Sequence, residues 1–351
     1  MTTKNVGITM ENQSAASAVP PHAVLIQMGT AYWGSQMLLV AAQLQIADRL
    51  AAGPRTSAGL AGELELNVRA MHRFLRSLAG MGVLTEVASQ TFALTPLGEA
   101  LKRDASGSAY ATILTLSGDL CRKSWNELRY SLATGNTGLE KTFGEPLFDY
   151  LSKHPEEASL FSETMVGFHG AEPPAVAEAY DFGRFGSVVD VGGATGNMLV
   201  HILRRHEGPR GVLFDLPHVV TDAPAFLAAN GMTDRVSIES GSFFESMPKG
   251  HDAYILSHII HDWSEDQCQT ILRNCRDAID PDGRLLIVEM VLPEGDQPHP
   301  GKMLDMMMLV GPGGQERTPS EYGALLEPAG FELVRVVPTG SDVSIVEAAP
   351  A

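Results

Sequence analysis

The residues best equipped for chemistry lie in the run AYILSHIIHDWSEDQC. There His261, Asp262 and Trp263 stand between a β-branched stretch that ends near His258 and a segment in which Cys268, Ile271, Leu272 and Cys275 recur at helical spacing. Ser264 and Gln267 have the Ser-x-x-Gln spacing of a capping box, which predicts a helix starting at Ser264 and leaves His261 in a strand-to-helix loop. Imidazole is the side chain whose ordinary pKa lies nearest neutrality, so it suits proton abstraction from an incoming nucleophile. Such a base needs an acidic partner. Glu289 closes the apolar run RLLIVE, where an unpaired carboxylate is costly, and Glu316 follows a glycine-rich stretch in GPGGQERT. One imidazole held by two carboxylates follows triad logic. His258, His261 and Asp262 also offer an alternative metal-ligand set, a sparse one that needs a further ligand such as His299.

A second set of residues points to a ligand. The strand-like SVVD runs into Val191-Gly192-Gly193-Ala194-Thr195-Gly196, and a helical stretch begins at Asn197. Glycines let backbone approach a bound molecule, and a helix N-terminus presents free N–H groups. The spacing D-x-G-G-x-x-G differs from the dinucleotide fingerprint, because Ala194 stands where that fingerprint has its second glycine. Asp215 ends the next strand, placed to accept both hydroxyls of a ribose. Together they suggest an adenosine-type nucleoside without a pyrophosphate; a tight strand-to-helix connection is the plainer reading of the turn alone. The third strand ends in Ser240-Gly241-Ser242-Phe243-Phe244, where a hydroxyl and an aromatic ring suit a purine edge and face, with Phe244 read as core. Met303, Met306, Met307 and Met308 suit either adaptable core or a pocket for a flat substrate.

These residues need a frame to hold them. SVVDVGG, GVLFDLP, RVSIES, HDAYILSH and RLLIVEMV alternate with helical stretches, the pattern of a parallel sheet in an α/β domain, and FELVRVVPTGSDVSIVEA predicts a closing antiparallel pair. Upstream, residues 25–50 read as largely buried helix. Two further helices and the strand-like VLTEV and TFALT then make a winged-helix pattern. Arg69, His72, Arg73 and Arg76 lie where a recognition helix would sit, so a ligand-responsive DNA-binding regulator is one rival reading; an interface domain is the other. Residues 108–180 read as helices with Phe148, Leu151 and Met165 facing inward, and Pro173 and Pro174 as a break or linker.

Composition narrows the partners. In 351 residues, Lys and Arg total 25 and Asp and Glu 42, a net charge of −17. That balance disfavours nucleic acid and anionic membrane and favours a small or cationic ligand. Cys121, Cys268 and Cys275 have no paired spacing, which fits free thiols in a cytoplasmic, reducing compartment. No apolar run is long enough for a membrane span, and residues 1–21 read as a disordered tail.

In this order, VVDVGGATG, FDLPHVV, GSFFESMP, HIIHDWSEDQC, LLIVEMVLP and GGQERT resemble the S-adenosylmethionine-dependent O-methyltransferases of the plant caffeate and bacterial hydroxyneurosporene or acetylserotonin type, across residues 25–349. The resemblance implies an α/β fold with a Rossmann-like class I methyltransferase sheet, mostly parallel with the last strand antiparallel, and an N-terminal all-helical winged-helix dimerisation domain. It divides the chain into the tail 1–21, a dimerisation domain 22–107, pocket helices 108–180 and a catalytic domain 181–351. It implies a homodimer acting on a small aromatic hydroxyl, with S-adenosyl-L-methionine as methyl donor and no metal. Methyl transfer to carbon or nitrogen, with or without a metal, is the enzymatic alternative. His261 matches the family's base, and Glu289 and Glu316 its supporting carboxylates. Gly192, Gly193, Asp215, Ser242, Phe243 and Ser257 fall at cofactor positions, and Met165, Asp262 and Met307 at acceptor positions. Ser242 replaces the plant enzymes' aspartate and Ser257 their lysine; a serine retains hydrogen-bonding capacity at both.

Overall fold

The computed structural model describes residues 19–351 and, within that span, every side chain but that of Phe168. Residues 1–18 of the expected tail lie outside the described residues, and the first helix already begins at Pro21. The described residues form two compact units, divided between Glu99 and Ala100.

The first unit is not all helical, as the resemblance had implied. β1 (Arg55–Thr56), β2 (Leu84–Ala88) and β3 (Thr91–Leu94) form a three-stranded antiparallel sheet in the order β1-β3-β2. β1 escapes a sequence reading because two residues carry no alternation pattern. Thr56 and Asn67 cap the helices Ser57–Glu63 and Val68–Gly80 by accepting backbone N–H bonds of 3.1 and 3.0 Å from Gly59 and Ala70. Met71, Leu75 and Leu78 recur on the inner face of the second helix. His72 turns partly inward against Phe92, so only Arg69, Arg73 and Arg76 of the basic set are fully exposed. Residues 25–50, expected to be buried, instead start with a helix, Pro21–Thr30, that has no buried residue; the chain becomes buried from Leu39 onward.

The second unit opens with short helices, of which Leu147–Lys153 and Pro155–His169 matter below. Pro173 and Pro174 are not a linker: they occupy the first turn of the helix Glu172–Ala179, where a proline's missing N–H has no helical partner to lose. The sheet comprises β4 (Ser187–Val191), β5 (Arg210–Asp215), β6 (Val236–Ser240), β7 (His251–Ser257), β8 (Ile279–Glu289), β9 (Phe331–Pro338) and β10 (Ser344–Pro350), in the order β6-β5-β4-β7-β8-β10-β9. β6 to β8 run parallel, and β10 lies antiparallel to both β8 and β9. Alternate residues serve opposite faces. Val188, Leu213, Ile255, Leu286 and Ile345 pack on one side, and Val189, Val212, Leu256, Ile287 and Val346 on the other.

The chain leaves β4 toward β5 and β6 and returns to β7 on β4's other side. That reversal opens a crevice beyond the carboxyl ends of β4 and β7, the place where open α/β sheets take ligands. Val191 pairs with Leu256 and Ser257 with Val288, so the glycine turn, the HDW loop and Glu289 all emerge at one edge. Leu286 is fully buried in the strand that carries Glu289. Leu286→Ala is expected to cost about 2–5 kcal/mol, read as a lowered urea midpoint; an unchanged midpoint would mean the sheet centre is not the core of this unit.

Candidate active site

The glycine turn is shaped by close backbone approach. Gly192 has φ +73°, and a Cβ there would lie 2.4 Å from Ile259 Cδ1 and 3.9 Å from the Phe243 ring. A Cβ on Gly193 would meet the Asp190 carboxylate at 2.4 Å. Asp215 at the end of β5 is tied to this turn: its Oδ2 accepts the Ala194 N–H at 3.0 Å and its Oδ1 the Leu216 N–H at 2.7 Å. Burial raises its pKa against those two bonds. Asp190 is almost fully buried and its Oδ2 has no hydrogen-bond partner; burial and the neighbouring Asp215 raise its pKa to about 7.

His261 sits in a short helical turn, Ile260–Asp262, and is 6% exposed. The predicted capping box is present at Ser264 and Gln267, so the helix Glu265–Ala278 starts where the sequence places it and holds the loop from behind. Nδ1 of His261 lies 2.6 Å from Glu316 Oε1. Glu289 does not touch the ring, against the expectation of two carboxylates on the imidazole. Its Oε1 accepts the backbone N–H of His261 at 3.0 Å, and its Oε2 accepts the hydroxyl of buried Tyr322. Glu289 is the last residue of β8, one strand away, and from there it reaches the loop's backbone. The nearest carboxylate to Nε2 is Asp262 at 3.7 Å, beyond hydrogen-bond distance, which leaves that nitrogen to meet another group. Burial alone would lower the imidazole's pKa; the Asp262 charge, the bond to Glu316 and the remaining carboxylate charges outweigh it and raise it to about 10. Burial raises Glu289 and Asp262 as well.

Glu316 is delivered by a loop laid against His261. A Cβ on Gly314 would fall 1.8 Å from the His261 carbonyl oxygen, and the Gln315 N–H donates to that oxygen at 2.8 Å. Asp305 accepts the Glu316 N–H at 3.0 Å, and the Leu292 N–H donates to Arg317 O at 2.9 Å, fastening both ends.

Phe243 and Phe244 pack edge-on against Trp263 with ring centroids 6.0 and 4.8 Å away, and Phe148 stacks on it at 5.2 Å. Phe243 therefore faces both the glycine turn and this aromatic wall, while Ser242 is half-buried at the start of the same turn. Phe244 is half-buried core, as read. Met165 and Met307 are half-buried on the helices Pro155–His169 and Gly301–Val310.

A cavity of about 130 Å³ is lined by Ser257 and His258, by the turn Gly192–Ala194 and by His169, Glu172 and Asp190. The alternative metal set of His258, His261 and Asp262 is not assembled. His261 is engaged by Glu316, and His258 turns instead to Glu172, its Nε2 2.7 Å from Oε2, while His169 Nδ1 lies 3.0 Å from Oε1. Against its burial, the two histidines lower the Glu172 pKa to about 2; burial lowers that of His258 to about 4. His258 holds φ +53°, strained for a non-glycine residue. The sequence reading missed His169, Glu172, Tyr322 and Gly314. Only Tyr322 carried a signal, the Thr-x-x-Glu capping box at Thr318 and Glu321 that starts its helix.

Gly314→Ala must push the loop off His261 and carry Glu316 with it. Turnover is expected to fall about 100-fold, since about 1 Å of misplacement costs that much, with cofactor affinity little changed. An equal loss in calorimetric affinity for S-adenosylhomocysteine would show that the loop serves the glycine side instead.

Comparison with known proteins matches residues 125–332 to the O-methyltransferase domain family and residues 26–104 to the O-methyltransferase dimerisation domain. The phenazine O-methyltransferase PhzM of Lysobacter antibioticus is 43% identical over 97% of this chain and 100% of its own length. The crystal structure of LaPhzM superposes with a TM-score of 0.88 at 43% identity, covering 95% of this chain and 100% of that one. NcsB1 from neocarzinostatin biosynthesis, solved with S-adenosylmethionine and 2-hydroxy-5-methyl naphthoic acid, gives a TM-score of 0.79 at 31% identity, covering 91% and 96%. With its sheet, its glycine turn and both family models in place, the chain belongs to the S-adenosylmethionine-dependent O-methyltransferase family.

Proposed function

We propose that the chain methylates a hydroxyl of a small aromatic acceptor, with His261 as general base; the observation that carries this is the His261–Glu316 pair beside an imidazole nitrogen free to meet an acceptor. The residues fit the cofactor: a cradle at Gly192 and Gly193 that a Cβ would fill, an acidic strand end at Asp215 for ribose hydroxyls, and Phe243 beside the turn. Ser242 and Ser257 are assigned to the same ligand. S-adenosylmethionine, when bound, supplies the methyl group as an electrophile. Glu316 accepts a hydrogen bond from the Nδ1–H of His261, which leaves Nε2 as the acceptor and stabilises the imidazolium formed when the hydroxyl proton arrives. Glu289, braced by Tyr322, fixes the loop through the His261 backbone. An aromatic acceptor is supported by the wall of Phe148, Trp263 and Phe243 and by the substrates named for the phenazine and naphthoate relatives. Asp262, Met165 and Met307 are assigned to the acceptor side.

The first unit supports pairing of two chains. Leu25, Ile26, Met28, Tyr32 and Trp33 are each at least 60% exposed, a concentration of large apolar side chains in need of cover, and all but Leu25 lie within the segment matching the dimerisation domain. The three cysteines are buried and unpaired, in keeping with a cytoplasmic, reducing setting, and among the described residues no helix is long and apolar enough to cross a membrane.

His261→Ala is expected to lower turnover by roughly 10²–10⁴ with S-adenosylhomocysteine still bound, and unchanged turnover would remove the base from the mechanism. The imidazole accepts a proton only when neutral, and its raised pKa means that the neutral fraction grows with pH. Between pH 7 and 9, kcat/KM should therefore climb about tenfold per unit. Glu316→Gln removes one of the charges responsible, so the rise should move to lower pH with a lower plateau. A profile that ignores this substitution would report ionisation of the acceptor, not of His261. Sedimentation is expected to give two chains per particle, and one for the double variant Ile26→Asp, Trp33→Asp; an unaffected dimer would place the interface elsewhere.

A further inference from the structure

The cavity beside the glycine turn has a wall that methyl transfer, as described, does not use. His169 closes the helix Pro155–His169, Glu172 opens the helix Glu172–Ala179, and His258 follows β7, so three separate elements deliver two imidazoles and one carboxylate to one point. One ligand-capable atom from each of His169, Glu172 and His258 lies within 4.8 Å of the others. The two nitrogens are 3.0 and 2.7 Å from the carboxylate, and the imidazole rings face each other with centroids 3.7 Å apart. Bonds of about 2.0–2.2 Å to a tetrahedral ion put its ligand atoms about 3.3 Å apart, so the two contacts to the carboxylate would lengthen by about 0.3 and about 0.6 Å around an ion.

A second observation points to a cation at the same place. Asp190 lines the cavity, is 1% exposed, and its Oδ2 has no hydrogen-bond partner. No lysine or arginine is among the lining residues, so two carboxylates face the space without a cationic side chain. The volume of about 130 Å³ leaves room for a water as a fourth ligand.

We propose that His169, Glu172 and His258 form a binding site for one divalent ion of the zinc class, three protein ligands with the open position toward the cavity. Two imidazoles and a carboxylate suit a borderline ion such as Zn²⁺ or Co²⁺ better than Mg²⁺ or Ca²⁺, which prefer all-oxygen shells. The ion is not a participant in methyl transfer. It places a double positive charge beside the glycine turn, where the cofactor's own cationic groups would be repelled, so occupancy opposes cofactor binding. That last consequence rests on the cofactor site proposed above; the ion site does not.

The test uses the full chain, dialysed against chelator and titrated with Zn²⁺ by calorimetry in the absence of cofactor and acceptor. One ion per chain is expected, with affinity weakened at least 100-fold in His258→Ala and at least tenfold in Glu172→Gln. Stoichiometric binding that survives both substitutions, or none in the unaltered chain, overturns the proposal. Should a variant fail to fold, Co²⁺ added to the unaltered chain decides: an absorption spectrum of nitrogen and oxygen ligands supports the site, and a thiolate charge-transfer band assigns the ion to a cysteine and overturns it. Saturating Zn²⁺ should raise the apparent dissociation constant for S-adenosylmethionine, which carries the sulfonium charge, at least tenfold, and no shift would refute the placement on the cavity. Because the Zn²⁺ titration involves no methyl transfer, its failure leaves the role of His261 standing, and failure of His261 leaves it standing in turn.

Discussion

A carboxylate taken out of water must be paid for by a partner, and the active edge of this protein is organised around that constraint. Glu289 and Glu316 are both almost fully buried, and neither could stay there unpaired. Glu289 is satisfied by a backbone N–H and a tyrosine hydroxyl; Glu316 is paired through Oε1 with an imidazole, while its buried Oε2 has no hydrogen-bond partner. Each bond fixes a different degree of freedom of His261: one its backbone, the other its ring. The long strand β8 and the helix carrying Tyr322 are therefore as much a part of the site as the histidine.

The same constraint explains the Gly314 loop. A carboxylate arriving from residues remote in sequence reaches an imidazole only if its loop lies flat on the loop carrying that imidazole. Flatness here means contact with the His261 carbonyl, at a distance no Cβ tolerates. The Gln315 N–H then uses that carbonyl as its acceptor, so close approach is also a hydrogen bond. Close packing and polar satisfaction are met by one geometry, which gives it a single well-defined minimum.

Much of this was legible in the residues, for reasons that can be separated. The sheet shows because parallel strands buried on both faces read as continuous apolar runs, and the start of the helix after Trp263 because a capping box is a local signal. Asp215 shows because its place follows from strand length and the glycine turn. By contrast, Glu289 was expected on the ring and holds the backbone instead: sequence tells that a buried acid needs a partner but not which donor lies nearest. Pro173 and Pro174 read as a break in sequence because proline stops a helix that has begun, yet it also starts one. His169 and Glu172 were invisible, since their partner His258 is remote in sequence and only folding brings them together. The apolar helix Pro21–Thr30 reads as core because hydrophobicity reports what needs cover, not whether the same chain supplies it.

His258 and His261 are three residues apart with rings 5.1 Å from each other, yet their pKa values move in opposite directions. Both are deeply buried, and burial alone would leave both neutral. The difference is the number of carboxylates each commands. His261 faces Glu316, Glu289 and Asp262, whose combined charge exceeds the burial cost. His258 has one, Glu172, and shares it with His169, so burial prevails. One short loop thus carries two imidazoles of opposite tendency, His261 favoured as a cation and His258 as a neutral ring. Two such rings both charged at this separation would repel each other, a cost that a neutral His258 removes.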